Sequence, residues 1–170
     1  CPVDAVTMKQ SEAGYWYVAG TPYGPLVYAE LKAGEENSGK LVSEVRKKSK
    51  ELGETEKKDF CIIDGPPGTG CAVMASLTGT DMAVLVTEPT FSGIHDMDRA
   101  LQVAEFFSIP SAVVVNKASI NKENTETIIK HCRKNSIPFL GTIDYSRKMV
   151  DAVSALTPYV EYADDEISTS

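Results

Sequence analysis

Three continuous apolar runs constrain the fold more than any other feature of this chain. They are Phe60-Cys61-Ile62-Ile63-Asp64, Met82-Ala83-Val84-Leu85-Val86-Thr87 and Ala112-Val113-Val114-Val115-Asn116. None alternates apolar with polar residues, so none has a face for water. Each ends in a polar residue. Such runs suit strands buried on both faces of a parallel sheet. Between and after them the apolar residues recur at helical spacing: Ala72 to Leu77, Ile94 to Phe107, Asn121 to Asn135 and Arg147 to Leu156. Phe139 to Ile143 reads as a further short strand. Strand alternating with helix is the signature of an α/β fold with a mostly parallel sheet flanked by helices.

Ahead of this pattern, Tyr15 to Ala19 and Pro25 to Ala29 are short, β-rich and bounded by Gly and Pro, and read as strands. Asn37 or Ser38 is placed to cap a helix through Leu41, Val42, Val45 and Leu52 that Gly53 stops. Asp164 to Ser170 reads as a polar tail.

With 170 residues, one domain is expected. The net charge of −7 argues against a large basic footprint for nucleic acid. The run Arg46-Lys47-Lys48-Ser49-Lys50 is followed by three glutamates and reads as a solvated helix face. No apolar run approaches the roughly 18 residues of a membrane span, and there is no signal-peptide pattern at the start. The cysteines Cys1, Cys61, Cys71 and Cys132 form no C-x-x-C pair. Reduced thiols and a cytoplasmic location fit this usage better than a disulfide scaffold.

In parallel α/β sheets ligands bind beyond the carboxyl ends of the strands. Three segments occupy that edge: Asp64-Gly65-Pro66-Pro67-Gly68-Thr69-Gly70, Thr87-Glu88-Pro89-Thr90 and Asn116-Lys117. An acid at a strand end can hold a water of Mg²⁺, and the following glycines let backbone approach phosphate. The same letters also make an Asp-capped turn. Asn116 offers a donor and an acceptor to a base edge, with the Lys117 stem along the ring; an ordinary Asn turn accounts for the pair as well. Glu88 and Asp96 could act as a carboxylate pair, but Asp96 and Asp98 also suit the first turn of a helix. His95 and His131 have no close partners in sequence and read as surface residues.

Gly34 to Leu41, GEENSGKL, is one letter from a phosphate-binding loop. Leu41 stands where a hydroxyl should reach Mg²⁺, and Glu35 and Glu36 would repel phosphate. The chemistry favours a capped helix start.

Taken together, ENSGKLV (Glu36 to Val42), IIDGPPGTGC (Ile62 to Cys71), VTEPTFSGIHDMDR (Val86 to Arg99), VVNK (Val114 to Lys117) and FLGTI (Phe139 to Ile143) resemble the MinD/ParA/Mrp P-loop ATPases. The match is to the branch with a ferredoxin-like 4Fe-4S insert. It covers almost the whole chain, and CPVDAV (Cys1 to Val6) resembles the end of that insert.

The resemblance implies the part C-terminal to the insert, without the first strand and the phosphate loop. Residues 1–6 would end the insert, 7–163 would belong to the nucleotide-binding domain, and 164–170 would be tail. Gly34 to Leu41 is then a lookalike, with Lys40 facing nucleotide or a dimer partner. Asp64 becomes the catalytic switch acid near Mg²⁺. Pro66, Pro67 and Gly68 flank the γ-phosphate. Asn116, with Lys117 beside it, contacts adenine, and Asp144 flanks the base. Cys1 would bind iron–sulfur in the parent only.

The implied cofactors are ATP and Mg²⁺, with the 4Fe-4S cluster confined to the parent. The implied partners are nucleotide, a second copy of the chain and a redox or iron–sulfur protein. Hydrolysis by this chain alone is expected to be negligible. The missing first strand implies an exposed apolar edge. The other reading is a non-catalytic redox or cluster-carrier module that keeps the fold without turnover.

Overall fold

The computed structural model describes residues 14–35 and 39–164. The helix cap expected at Asn37 or Ser38, the insert remnant with Cys1, and the tail beyond Asp164 lie outside the described residues. The chain divides into two compact units, Cys1–Thr78 and Gly79–Ser170.

In the first unit, β1 (Gly14–Thr21) pairs antiparallel with β2 (Gly24–Leu31), with Tyr17 opposite Tyr28. Their rings stack at 5.3 Å. Two strands alone are marginal in water. Helix α1 (Gly39–Thr55) packs on β2 and on the short α2 (Cys71–Leu77). Gly39 lies so close to α2 that an added Cβ would sit 3.0 Å from the Cys71 carbonyl oxygen. Helix α1 runs two residues past Gly53; one glycine in a helix costs only about 1 kcal/mol, which neighbouring turns offset.

Arg46 departs from the solvated face expected for its basic run. Its Nη1 donates to the carbonyl oxygens of Ala75 and Thr78, at 2.5 and 2.7 Å, at the end of α2. A guanidinium thus satisfies carbonyls that a short helix leaves unpaired.

The apolar run Phe60 to Asp64 does not form the expected strand. Phe60 and Ile62 are 87% and 93% exposed. A parallel strand exists through hydrogen bonds to its neighbours, and among the described residues this run pairs with none.

The second unit carries the parallel sheet, in the order β3 (Ala83–Thr87), β4 (Ser111–Asn116), β5 (Phe139–Ile143). Helix α3 (Phe91–Phe106) connects β3 to β4, and α4 (Lys122–Lys134) connects β4 to β5. These are two crossover units of the kind parallel pairing requires. The core joins Val113 and Val115 of β4 to Met97 of α3 and Ile128 and Cys132 of α4. Helix α4 presents Thr125, Ile128 and Cys132 inward at helical spacing and keeps its lysines and glutamates outside. The opposite face of the sheet is less covered: Val84 and Val86 are 50% and 63% exposed. The expectation of burial on both faces therefore fails for β3. Helices α5 (Arg147–Ser154) and α6 (Tyr159–Tyr162) follow; the sequence pattern contained α5 but not the four-residue α6.

Ile128 is fully buried. Ile128→Ala should cost about 2–5 kcal/mol in urea denaturation, the range for a large core residue cut to Ala; a loss below about 1 kcal/mol would show that α4 does not anchor the sheet. Burial, with Asp98 nearby, pushes the Cys132 thiol above its ordinary 9.0. The unfolded thiol then ionises at lower pH than the folded one. This contribution is intact below pH 9 and is lost as pH rises through the folded value. Denaturation curves at alkaline pH should show this excess loss, and Cys132→Ala should lack it.

Candidate functional site

The carboxyl ends of β3, β4 and β5 lead into three loops in the second unit. The loop after β3 is built by its own hydroxyls. Thr87 Oγ1 donates to the Gly93 carbonyl at 2.9 Å, and the Gly93 N–H donates to Thr90 Oγ1 at 3.0 Å. Thr90 thereby caps α3. Gly93 is required by space: a Cβ there would collide with the Glu88 carbonyl oxygen and sit 3.1 Å from Thr87 Oγ1. Because α3 begins at Phe91, Asp96 and Asp98 lie beyond the first turn in which the sequence pattern put them.

The loop after β4 holds Asn116 and Lys117. Lys117 adopts the left-handed conformation, with φ 55° and ψ 36°. Its N–H donates to Asn116 Oδ1 at 2.9 Å. This local bond is the kind that makes such a turn accessible to a residue other than glycine. It engages one side of the Asn116 amide. The expected two-sided contact with a base therefore narrows to the Nδ2 donor and the remaining lone pair of Oδ1. Lys117 Nζ reaches across to Glu88 Oε1 at 2.5 Å.

Further bonds tie the loops together. Asn124 Nδ2, in the first turn of α4, donates to the Pro89 carbonyl at 3.0 Å. The Tyr145 N–H, just after β5, donates to Ser119 Oγ at 3.0 Å. Beside them lies a cavity of about 370 Å³ whose lining includes Ser119, Lys122, Glu126, Ile129, Thr142 and Asp144. That volume falls in the range of small-molecule pockets. Its walls combine a cation, two carboxylates and hydroxyls.

Asn116 and Lys117, adjacent in sequence, sit at the end of β4, and Asp144, at the end of the neighbouring β5, is on the wall of the cavity, which Asn116 and Lys117 do not line. Asp64, Pro67 and Gly68 belong to the first unit and are exposed, with Pro66 partly covered. Gly68 has φ +95°, a conformation that only glycine adopts freely. Lys40 is exposed on the first turn of α1. Among the described residues no three His, Cys, Asp or Glu side chains gather closely enough to hold a metal. The single exposed carboxylate of Asp64 fits a Mg²⁺ that keeps most of its waters. Cys61 and Cys71 are exposed and Cys132 is buried, so the described cysteines offer no cluster ligand set.

Two pairings were invisible in the sequence. Glu88, weighed in the sequence as one half of a carboxylate pair with Asp96, meets Lys117, 29 positions away. His131 was read as a surface residue without a partner. It is only partly exposed, and its Nε2 lies 3.0 Å from Asp98 Oδ1 across α3 and α4. Neither separation corresponds to a helical or strand period, so no local pattern carries it.

No family model matches the chain. It is 35% identical over 128 residues to the uncharacterized protein MJ0578 of Methanocaldococcus jannaschii, covering 75% of this chain and 43% of that protein. It is 28% identical over 124 residues to the iron-sulfur cluster carrier protein of Pyrococcus horikoshii, covering 62% of this chain and 40% of the other. The chain therefore spans less than half the length of these relatives. Among solved structures it is similar to MinD of Aquifex aeolicus, with a TM-score of 0.65, 20% identity, and coverage of 89% of this chain and 64% of that one. It is also similar to the cell division ATPase MinD of Pyrococcus furiosus, with a TM-score of 0.60, 22% identity, and coverage of 78% and 54%. The fold, an α/β arrangement with a parallel sheet flanked by helices, is like that of these two MinD proteins.

Gly93→Ala should destabilise the chain by about 1–3 kcal/mol through overpacking, while Ser92→Ala on the exposed side of the same turn should stay within about 0.5 kcal/mol. Equal thermal shifts for the two variants would contradict the close approach at Gly93.

Proposed function

We propose that the chain is the C-terminal part of the nucleotide-binding domain of a MinD/ParA/Mrp-type ATPase that handles iron–sulfur clusters. The observation that carries this reading is the tied ledge at the strand ends, with Asn116, Lys117 and Asp144 on the edge where parallel sheets bind ligands. The MinD-like fold and the relatives named as iron-sulfur cluster carriers support it.

In this reading Asn116 Nδ2 donates to an adenine edge, and the Lys117 stem lies along the ring. Asp144 flanks the base. Asp64 holds a water of Mg²⁺, whose charge offsets that of the phosphates. Pro66, Pro67 and Gly68 lie beside the γ-phosphate, where the left-handed Gly68 lets backbone approach closely. The phosphate loop and the cluster cysteines other than Cys1 belong upstream, in the parent, which works as a homodimer with a redox or iron–sulfur protein partner. Residues 1–6 then end the insert, 7–163 complete the nucleotide domain and 164–170 form the tail.

The non-catalytic carrier module is the second reading. The lookalike segment favours it for this chain: Lys40 is followed by Leu41, which has no hydroxyl for Mg²⁺.

Titrating Mg-ATP calorimetrically into the 170-residue chain should give no tight binding, because in this reading the phosphate loop lies upstream. At millimolar AMP, NMR shifts should cluster at Asn116, Lys117 and Asp144 and vanish in Asn116→Ala. Tight Mg-ATP binding lost in both Asp64→Ala and Asn116→Ala would mean that the chain holds a complete site. AMP shifts absent or located elsewhere would overturn the base contact.

A further inference from the structure

We infer that Glu88 is a positioning residue for the base ledge: it parks the Lys117 ammonium and thereby fixes the direction in which Asn116 faces a purine. The inference rests on the nucleotide reading above and deepens it.

Glu88 and Lys117 are each mounted on constrained backbone. Glu88 directly follows Thr87 and Asn116 directly follows Val115, and Thr87 and Val115 are the last pair of the β3–β4 ladder, so Glu88 and Asn116 both leave the sheet at the same end. The Glu88 carbonyl accepts from the Thr90 N–H at 2.8 Å, and the neighbouring Pro89 carbonyl accepts from Asn124 Nδ2. On the other side, Lys117 is left-handed and its N–H is held by Asn116 Oδ1. The ion pair closes a ring that runs from Glu88 to Lys117, through the Lys117 backbone to the Asn116 amide, and back along the sheet.

The two side chains are 40% and 46% exposed. An ion pair with that much solvent contributes little to stability. Its geometric effect is larger. An untethered lysine samples many rotamers, and its cation is free to swing toward any phosphate nearby. Held on Glu88, the ammonium is neutralised beyond the ledge and the apolar stem stays beside Asn116. The Asn116 amide is then presented with Nδ2 outward, a donor that distinguishes the acceptors of one purine edge from the donors of another. The ligand class is a purine nucleotide recognised by its base.

The test uses the 170-residue chain with Glu88→Ala and Glu88→Gln. Without nucleotide, hydrogen exchange at the Lys117 amide should speed up about five-fold in Glu88→Ala, the size expected for a partly exposed pair. Glu88→Gln, which keeps a neutral acceptor, should fall between. Unchanged exchange at Lys117 would overturn the inference. NMR titrations with AMP and GMP provide the second measurement: the ratio of the two affinities should move toward one by a similar factor in Glu88→Ala. Both affinities falling equally would overturn the positioning role, since a merely structural defect would not discriminate between bases. If the unaltered chain binds neither nucleotide, the nucleotide reading fails. The exchange measurement then still decides whether Glu88 orders the ledge.

Discussion

Burial of β4 is the constraint on which the rest of the second unit depends. Ala112, Val113 and Val115 have no exposed surface, and Val113 and Val115 pack in one cluster with Ile128 and Cys132, which have none either. Apolar burial of this kind is the largest favourable contribution to folding. It also fixes position. Once Val113 and Val115 face α3 and α4, alternation along the strand fixes Asn116 as the last rung. The chain then turns sharply at Lys117. The position of the candidate site is thus a by-product of how the core is filled.

A second layer of polar bonds refines what the core sets coarsely. Thr87, Thr90, Asn121 and Asn124 each bond to backbone within or between the strand-end loops. Such side-chain-to-backbone bonds satisfy groups at helix starts that would otherwise be unpaired. The sheet thereby ends in loops of defined shape, the condition for a recognition surface.

Much of this was legible in the sequence, for physical reasons. Met82 to Thr87 and Ala112 to Asn116 form strands at nearly the expected bounds because their β-branched, apolar residues leave little alternative. Helix α4 follows from the Asn121 cap and the inward spacing of Thr125, Ile128 and Cys132. Asn116, Lys117 and Asp144 were singled out as candidates through a family resemblance carried by ordered motifs, and the fold puts Asn116 and Asp144 at the ends of the adjacent strands β4 and β5. Phe60 to Asp64 has the same composition and forms no strand, because strand formation depends on a neighbour and composition does not record one. The Glu88–Lys117 pair, the His131–Asp98 approach and the Arg46 cap on α2 all link positions far apart in sequence or outside any repeat. They became visible only when the fold brought the elements together.

The irregularity between β4 and β5 has a consequence of parity. Val113 faces Phe139, yet the next residue, Val114, faces Gly141, so Leu140 is passed over. Gly141 carries the unusual φ of +150° that this skip demands. A strand that drops one rung exchanges inside for outside from that point on. It also draws the remainder of the strand back by one residue, roughly 3.3 Å. Ile143 therefore ends level with Asn116, and Asp144 emerges at the rim instead of overshooting it. Without the skip Ile143 would lie one position beyond Asn116 and Asp144 two, so the passed-over residue is what lets the strand hold one more position and still end at the ledge.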